Sequence, residues 1–374
     1  MKENIKKESS KKKKRKEERE EKKEIRKESK KKQESVLQDL AQLMETVNKT
    51  ADIEAENIEE IEDFVGFVQE ESTPAGRVLA DLIYTFTNDL RIGKLIKSGE
   101  IRKKVVGVEP EWKVPDGYNM THFDLKNFSM KLLTKAENPR FDKVILQLHG
   151  GGYVAKIKNS YYTMATYYCD AGNGISVLSP DYRVAPEDPY PAALEDALES
   201  YQWLLDRGFK GEQIIVAGDS AGGGLAIALT MYLRDHDMPL PCGIVAMSPW
   251  TDVTASGESY TLNYELDPLF GNTKESMIYI NDYAGDHDKK DPYISPIYGN
   301  FRQFPPMLIQ VGSTEMLLSD SITAASMADV AGVDVRLSIY DDMFHVFQMA
   351  GMILPDAKKA WEEVEQFIQL LLNE

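Results

Sequence analysis

The feature that most restricts the fold is the alternation of short apolar runs with amphipathic stretches from about residue 102 onward. A run such as Lys143–Leu148 (KVILQL) is continuously apolar, which is typical of a strand buried on both faces. The predicted strands are Val105–Val108, Phe128–Leu133, Lys143–Leu148, Ile175–Leu178, Gln213–Ala217, Ile244–Met247, Met307–Val311 and Val335–Ile339. Helical spacing predicts helices at Leu194–Leu205, Leu225–Leu233, Ser321–Val330 and Trp361–Leu371. This order predicts an α/β fold with a mostly parallel central sheet flanked by helices, whose chemistry lies beyond the C-terminal ends of the strands.

A candidate nucleophile stands at one of these strand ends. Strand QIIVA runs into GDSAGGG (218–224) and then into a helix, which is G-x-S-x-G in a strand–turn–helix context. A sharp, strained turn would lift the Ser220 hydroxyl above the sheet, and Gly218 and Gly222 would let strand and helix approach each other. The helix start behind the serine also favours negative charge. We therefore predict that Ser220 is the nucleophile.

The sequence HGGGY (149–153) ends strand KVILQL and predicts an oxyanion hole. Consecutive glycines leave backbone N–H groups free to face a ligand, and a developing oxyanion needs such fixed donors. We expect Gly151 and Gly152 to donate, with the N–H of Ala221 as a third donor, and Gly150 to shape the turn. His149 precedes the nucleophile, whereas the base of such a site comes last in the chain. We therefore interpret His149 as a brace for the loop.

The base and the acid must follow Ser220 in the order acid, then histidine. His287 and His345 are two of the three histidines after Ser220, the other being His236, and they are the candidates for the base. His345 follows the strand Val335–Ile339, so we predict that it is the base, whereas His287 lies in a polar stretch and is interpreted as a surface residue. Glu315 comes first after the turn that ends strand Met307–Val311 and is the predicted acid, which would hold the imidazole tautomer. Asp320 is the competitor, although its place before the helix at Ser321 also suits an N-cap.

Several ordered motifs together resemble the hormone-sensitive-lipase family of α/β-hydrolases, and most of all its bacterial esterases and acetyl-hydrolases. The motifs are HGGGY (149–153), DYRVAPE (181–187), PYPAALEDA (189–197), GDSAGGG (218–224), SPWTD (248–252), DPYISP (291–296) and FHVF (344–347). The resemblance covers about residues 100–374 and implies a helical cap. Many members carry Asp at the position of Glu315, though some acetyl-hydrolase-like members are similar in carrying Glu. Asp181 and Glu187 resemble structural anchors of the loop beside HGGG rather than a second catalytic pair.

The first hundred residues divide into two regions. Residues 1–34 carry 17 Lys/Arg and 9 Asp/Glu but almost no apolar side chains, so they are predicted to be a disordered tail or transient helix. The basic run Lys11–Lys16 could contact a polyanion. From residue 35 to about 100, apolar residues recur at helical spacing, in Val36–Val47, Ile58–Val68 and Arg77–Ile96, and predict an N-terminal helical cap. The catalytic domain is then 101–374, with a cap insertion at about 254–285.

Composition excludes several other classes of protein. Residue 35 onward has 27 basic and 52 acidic residues, a net charge of −25, so this body should not bind nucleic acid. The sequence has no apolar run of about 18 residues to span a membrane and no apolar leader near residue 1. Cys169 and Cys242 are too few for a disulfide framework or a Cys-rich zinc site, and they suit a reduced, cytoplasmic chain. Whether the chain forms a homodimer is left open.

The predicted activity is hydrolysis of a small-molecule ester through a Ser-His-Glu triad and an acyl-enzyme intermediate. No metal or organic cofactor is expected, because HExxH, a Walker A loop and a GxGxxG after the first strand are absent. The cap and the aromatic-rich insertion would cover Ser220 and favour an acyl group of about two to six carbons. A carbohydrate deacetylase or an amidase would share the triad, and a non-catalytic small-molecule receptor on the same scaffold is a further alternative.

Overall fold

The computed structural model describes residues 64–89 and 109–373, and these build one mixed, mostly parallel sheet. The strands are β1 (Gly66–Glu70), β2 (Tyr118–Asp124), β3 (Ser129–Lys135), β4 (Arg140–Leu148), β5 (Ile175–Asp181), β6 (Ile214–Asp219), β7 (Gly243–Met247), β8 (Met307–Gly312) and β9 (Val335–Tyr340). Their order across the sheet is β1-β9-β8-β7-β6-β4-β5-β3-β2. The β2–β3 and β3–β5 pairs are antiparallel, and every other pair is parallel. The predicted α/β fold with a mostly parallel sheet is confirmed.

Helices cover both faces of this sheet. They are α1 (Pro74–Asp89), α2 (Asn159–Ala171), α3 (Ala192–Asp206), α4 (Ala221–Asp235), α5 (Ser259–Leu262), α6 (Leu318–Val330) and α7 (Pro355–Asn373), with short 3₁₀ helices at Gly211–Gln213, Pro296–Tyr298 and Phe347–Ile353. Side chains of α2 and α7 pack on one face with Ile145 and Ile215, and those of α3, α4 and α6 pack on the other with Val144 and Val216. Successive strand residues thus enter opposite cores, which explains why β4 and β6 are apolar throughout.

The structure corrects the described part, residues 64–68, of the helix expected at Ile58–Val68, whose residues 58–63 lie outside the described residues. Residues Gly66–Glu70 form β1, which pairs in parallel with β9 and extends the sheet by one edge strand. The side chains alternate between half-buried and exposed, so the period in the folded chain is two rather than 3.6. The open edge of β9 supplies backbone partners along Gly66–Glu70, and this tertiary pairing outweighs local helical spacing.

Other elements of the structure were predicted only in part, or not at all, from the apolar pattern of the sequence. The structure adds β2 and α2, which the pattern did not predict, because β2 alternates polar residues on an exposed edge and α2 is rich in tyrosine. The helix predicted over Arg77–Ile96 is found as α1 as far as Asp89. Residues 1–63 and 90–108 lie outside the described residues, and with them the tail 1–34, the segment 36–47 and the predicted strand Val105–Val108.

Candidate active site

Ser220 occupies a strained turn between β6, which ends at Asp219, and α4, which begins at Ala221. Its φ of 54° and ψ of −124° are values that a non-glycine residue adopts only when its surroundings enforce them. The turn is held at both ends, because Ser220 N donates to Met247 O at 2.8 Å and Trp250 N donates to Ser220 O at 2.8 Å. A Cβ at Gly218 would collide with the backbone of Gly222, so the glycine of the motif is a steric requirement.

His345 lies in the loop after β9 and faces the serine. Its Nε2 is 2.8 Å from Ser220 Oγ, and its Nδ1 is 2.8 Å from Glu315 Oε2. A carboxylate can only accept, so Nδ1–H donates to Glu315 and Nε2 is left to accept the proton of the Ser220 hydroxyl. All three side chains are buried. The structure thus brings together the three residues predicted from chain order.

Glu315 is fully buried and bound on both oxygens. Its Oε1 accepts hydrogen bonds from Ser248 Oγ at 2.7 Å and from Gly312 N at 2.6 Å, which leaves Oε2 for His345. These donors stabilise the charged form of a carboxylate that has been removed from water. Glu315 is therefore oriented to hold one tautomer of His345.

Asp320 is placed elsewhere, and its predicted role as an N-cap is wrong. Helix α6 begins at Leu318, so Asp320 lies inside the first turn. Its Oδ2 accepts hydrogen bonds from the backbone N–H groups of Thr251 and Asp252, each at 2.8 Å. Burial raises the pKa of Asp320 well above its ordinary value, and nearby Asp252 adds to this effect. Asp320 anchors the chain after β7 and does not contact His345.

Ser248 also belongs to the site, although the sequence showed it only as part of the SPWTD motif. It accepts a hydrogen bond from Val346 N at 3.1 Å while donating to Glu315, so one hydroxyl links the acid to the residue after the base. Ser248 and Val346 both have positive φ, 46° and 52°, and Val346 is β-branched, which makes this conformation costly. The only sequence signal was the position of Ser248 in the SPW motif at a strand end.

The HGGG loop has the open geometry expected of an oxyanion hole. Gly151 and Gly152 have φ values of 123° and 64°, which other residues adopt rarely. Within the described part of the chain, no acceptor takes the N–H of either glycine. Ala221 is the first residue of α4, where helix N–H groups have no partner within the helix. Gly150 differs from these, because its N–H donates to Asp219 Oδ1 at 3.1 Å and its missing Cβ makes room for that carboxyl group.

His149 braces this loop, as predicted. Its Nδ1–H donates to Gly150 O at 2.8 Å, and its ring stacks on Tyr182 with centroids 4.0 Å apart. Burial lowers the pKa of His149 to about 3, so the ring is neutral. Tyr182 in turn donates its hydroxyl to His149 O at 2.5 Å.

The DYRVAPE segment likewise has a structural role. Asp181 Oδ1 accepts the N–H of Ile157 at 3.0 Å, and Arg183 pairs with the buried Asp196. Glu187 is exposed to solvent. Neither Asp181 nor Glu187 is hydrogen-bonded to His345, and His287 is exposed, as expected.

Asp219, the residue before the nucleophile, is a buried acid that the sequence did not single out. Its carboxyl group accepts the N–H of Gly150 at 3.1 Å and the hydroxyl of Tyr161 at 3.1 Å. Burial raises the pKa of Asp219 to about 7, against the opposing effects of His345 and these hydrogen bonds. Asp219 therefore ties the nucleophile turn to the HGGG loop.

A cavity of about 200 Å³ opens in front of Ser220. Its apolar lining comes from Leu269 and Phe270 of the 254–285 insertion and from Val346 and Met349. The ring centroid of Phe270 is 4.7 Å from that of His345, so the insertion does cover the base. Other aromatic side chains of the insertion pack on the core instead, as Tyr283 does in stacking on Tyr153 at 3.6 Å.

Two further findings concern metals and membranes. Among residues 64–89 and 109–373, no group of three or more His, Cys, Asp or Glu side chains could hold a metal ion. None of the described helices combines the length and the hydropathy needed to span a bilayer.

Comparisons with known proteins agree on the fold and the chemistry. Residues 145–349 match a family described as having the alpha/beta hydrolase fold. The chain is 36% identical over 232 residues to an acetyl-hydrolase from Streptomyces hygroscopicus, an alignment that covers 62% of this chain and 77% of the relative. It is similar to the crystal structure of EstE5 soaked with p-nitrophenyl butyrate, with a TM-score of 0.72, 34% identity and coverage of 81% and 100% of the two chains. It is also similar to an esterase from the bacterial hormone-sensitive lipase family, with a TM-score of 0.71, 32% identity and coverage of 80% and 99%.

Proposed function

The chain belongs to the hormone-sensitive-lipase family of α/β-hydrolases and is a carboxylic ester hydrolase of the serine esterase class, and on that premise we propose that Ser220, His345 and Glu315 catalyse hydrolysis of short-chain acyl esters. The observation that carries the proposal is the unbroken hydrogen-bonded line from Glu315 through His345 to Ser220, with 2.8 Å at each step. A nucleophile, a base within reach and a group that orients the base are the parts that acyl transfer requires.

The reaction proceeds in two halves. Ser220 Oγ attacks the ester carbonyl while His345 Nε2 takes its proton, and the N–H groups of Gly151, Gly152 and Ala221 stabilise the oxyanion. His345 then returns the proton to the leaving alcohol, which leaves an acyl-enzyme on Ser220. Water, activated by the same histidine, releases the acid and restores the serine. Glu315 stabilises the imidazolium that forms in each half.

The size and lining of the cavity support the preference for short acyl groups. About 200 Å³ is less than the roughly 300–1,000 Å³ of sites for drug-sized ligands. Leu269 and Phe270 limit the space above the base. The similar EstE5 was soaked with a butyrate ester, which is consistent with an acyl group of about two to six carbons.

Substituting the nucleophile tests this proposal. Ser220→Ala should lower kcat for p-nitrophenyl butyrate by at least about 10⁴-fold, with an unchanged circular dichroism spectrum. A fluorophosphonate should label the wild-type chain at Ser220, as mass spectrometry would show, and should not label the variant. Near-wild-type hydrolysis by the variant would refute the mechanism. Faster turnover of an acetylated sugar or an anilide than of any simple ester would transfer the proposal to a deacetylase or an amidase.

Three further proposals concern the N-terminal regions of the chain and its cellular compartment. We propose that residues 1–34 are a solvated extension that can contact polyanions, that residues 35–100 contribute to the cap, and that the chain works in a reducing, cytoplasmic compartment. The charge count supports the first, and the contact of α1 with the loop before His345 supports the second. Neither Cys169 nor Cys242 forms a disulfide, which is consistent with the third.

A further inference from the structure

One wall of the cavity in front of Ser220 is cationic. The loop between the HGGG turn and α2 contributes Lys156 and Lys158 to the lining, and Ser160 in the first turn of α2 adds a hydroxyl. The same cavity also reaches Ser220 and His345. A small ligand bound to these lysines could therefore also contact the reacting serine.

The Lys156 charge is not paired with a carboxylate. Lys156 Nζ donates to Tyr182 O at 3.0 Å, which fixes the ammonium group on a neutral acceptor. It forms no ion pair with any carboxylate among residues 64–89 and 109–373. Asp181 is a neighbour, but its Oδ1 accepts the N–H of Ile157, and it does not line the cavity.

Lys158 is paired only loosely. Its Nζ is 4.0 Å from Glu109 Oε1, and both side chains are partly exposed, at 31% and 41%. Exposed pairs at such a distance contribute about 0–1 kcal/mol, so an anionic ligand can compete for the ammonium group.

Acidic groups in the cavity do not cancel these charges. Asp219 is the one carboxyl group among the lining residues that the structure describes, and it is bound to Gly150 N and Tyr161 Oη. Asp181 and Glu109 lie beside the lysines but do not line the cavity, so Lys156 and Lys158 are the charged side chains that a ligand on this wall would contact.

We propose that the preferred substrates are esters that carry an anionic group, a carboxylate or a phosphate, which binds to Lys156 and Lys158 while the ester carbonyl lies at Ser220. The inference rests on the proposed esterase function and names its substrate class. The apolar side formed by Leu269, Phe270 and Met349 then receives the uncharged part of the molecule. Hydrolysis follows the same two steps, and the anionic group is unchanged by the reaction.

Matched ester pairs test the proposal without altering the protein. Ethyl hydrogen succinate against ethyl pentanoate places the charge on the acyl side, and O-acetylglycolate against propyl acetate places it on the alcohol side. The acetyl ester of 2-hydroxyethyl phosphate tests phosphate in place of carboxylate. In a pH-stat assay at low salt, we expect the anionic member of at least one pair to have the higher kcat/KM, by about fivefold or more. The advantage should shrink in 0.5 M NaCl, because added salt screens the lysines.

Lysine variants locate the effect. In the double variant Lys156→Gln/Lys158→Gln, the ratio of kcat/KM for the anionic ester to that for its neutral partner should fall about tenfold. Lys210→Gln is the matched control, since Lys210 is 74% exposed, pairs with Glu212 at 3.5 Å and does not line the cavity. Its ratio should equal that of the wild-type protein.

The outcomes separate this inference from the proposed function. If the wild-type protein hydrolyses neutral esters in a Ser220-dependent way but favours the neutral member of every pair, the anionic preference is wrong and the esterase function stands. An anionic preference that persists unchanged in the folded double variant would also overturn the role of the lysines. If no ester is hydrolysed, or Ser220→Ala remains active, the proposed function itself fails.

Discussion

The loops that carry the triad and the insertion at 254–285 lie on the same side of the sheet but are held in different ways. Ser220, Glu315 and His345 follow β6, β8 and β9 directly, within five residues of a strand end. The insertion contains one short helix, α5, and is otherwise held by turns and by single buried polar side chains. Asp267 is the clearest of these, because it accepts the N–H groups of Leu269, Phe270 and Met316 at 2.8–2.9 Å. If the proposed function is right, the loops at the strand ends should set the rate of the chemistry, whereas the insertion should set which acyl group fits.

The largest expected effect concerns the triad loops. Glu315→Gln should lower kcat by about 10²–10⁴-fold, because an amide NH₂ facing Nδ1 disfavours the tautomer that leaves Nε2 free. Asp320→Asn is the matched control, since Asp320 is an equally buried acid that accepts backbone N–H groups and does not contact His345. Asparagine keeps one acceptor oxygen, so we expect its kcat within about threefold and a stability loss of about 0.5–2 kcal/mol. The reverse ranking of rates, measured with p-nitrophenyl butyrate, would transfer the acid role to Asp320.

In the insertion, Asp267→Ala should change selectivity more than rate. It would leave three backbone N–H groups without their acceptor, and we expect a loss of about 2–4 kcal/mol in the free energy of unfolding. Release of Leu269 and Phe270 should then weaken the discrimination between butyrate and octanoate esters by about tenfold in kcat/KM. Asp282→Asn, on an exposed side chain of the same insertion, is the control and should leave both quantities unchanged. If Asp267→Ala lowered kcat for all acyl lengths as much as Glu315→Gln does, the division between the two regions would be wrong.

The pH dependence of stability tests one contact of the triad loops, the one that Asp219 makes beside Ser220. Because burial raises the pKa of Asp219 to about 7, the folded chain holds that proton longer than the unfolded chain. The stability that this group contributes is therefore full below about pH 4 and is lost as the pH rises towards 7. Between pH 4 and pH 8, the free energy of unfolding of the wild type should fall by about 2–4 kcal/mol more than that of Asp219→Asn. Urea titrations at both pH values measure this, with the exposed Asp116→Asn as control, and parallel pH profiles for wild type and Asp219→Asn would contradict it.

The smallest expected effect concerns the charged tail. A chain beginning at Ser35 should keep kcat/KM for a neutral ester within about threefold, because a neutral substrate feels no steering field. It should also lose salt-sensitive binding to anionic vesicles or nucleic acid. A chain without residues 1–98 is the contrasting case: it would lack β1, which pairs with β9, and α1, whose residue Ile83 packs near Met343. We expect the chain without residues 1–98 to aggregate or to lose acyl-length selectivity. For the chain that begins at Ser35, a loss of turnover would contradict the prediction and show that the tail belongs to the catalytic unit.

The strands of the sheet differ in how far the sequence predicted them. Strand bounds for β4 to β9 follow the apolar runs to within a few residues, because strands buried on both faces must be apolar throughout. The expectation of a helix ending at Val68 failed because β1 takes its hydrogen bonds from β9, more than 260 residues later in the chain. Periodicity reports local preference and contains no information about a distant partner.

The sequence by itself predicted the order nucleophile, acid, base and contained the glycines around Ser220 that the proposed chemistry requires. These requirements are local, because a strained turn needs its glycines within two residues and a buried strand needs its own apolar side chains. Only the tertiary structure showed that Glu315 is hydrogen-bonded to His345 and that Asp320 binds the backbone after β7 instead. It also revealed Ser248, Asp219 and the lysines beside the cavity, whose roles come from contacts between segments far apart in the chain. Hydrogen bonds and fields depend on distances in space, and those distances exist only once the sheet has formed.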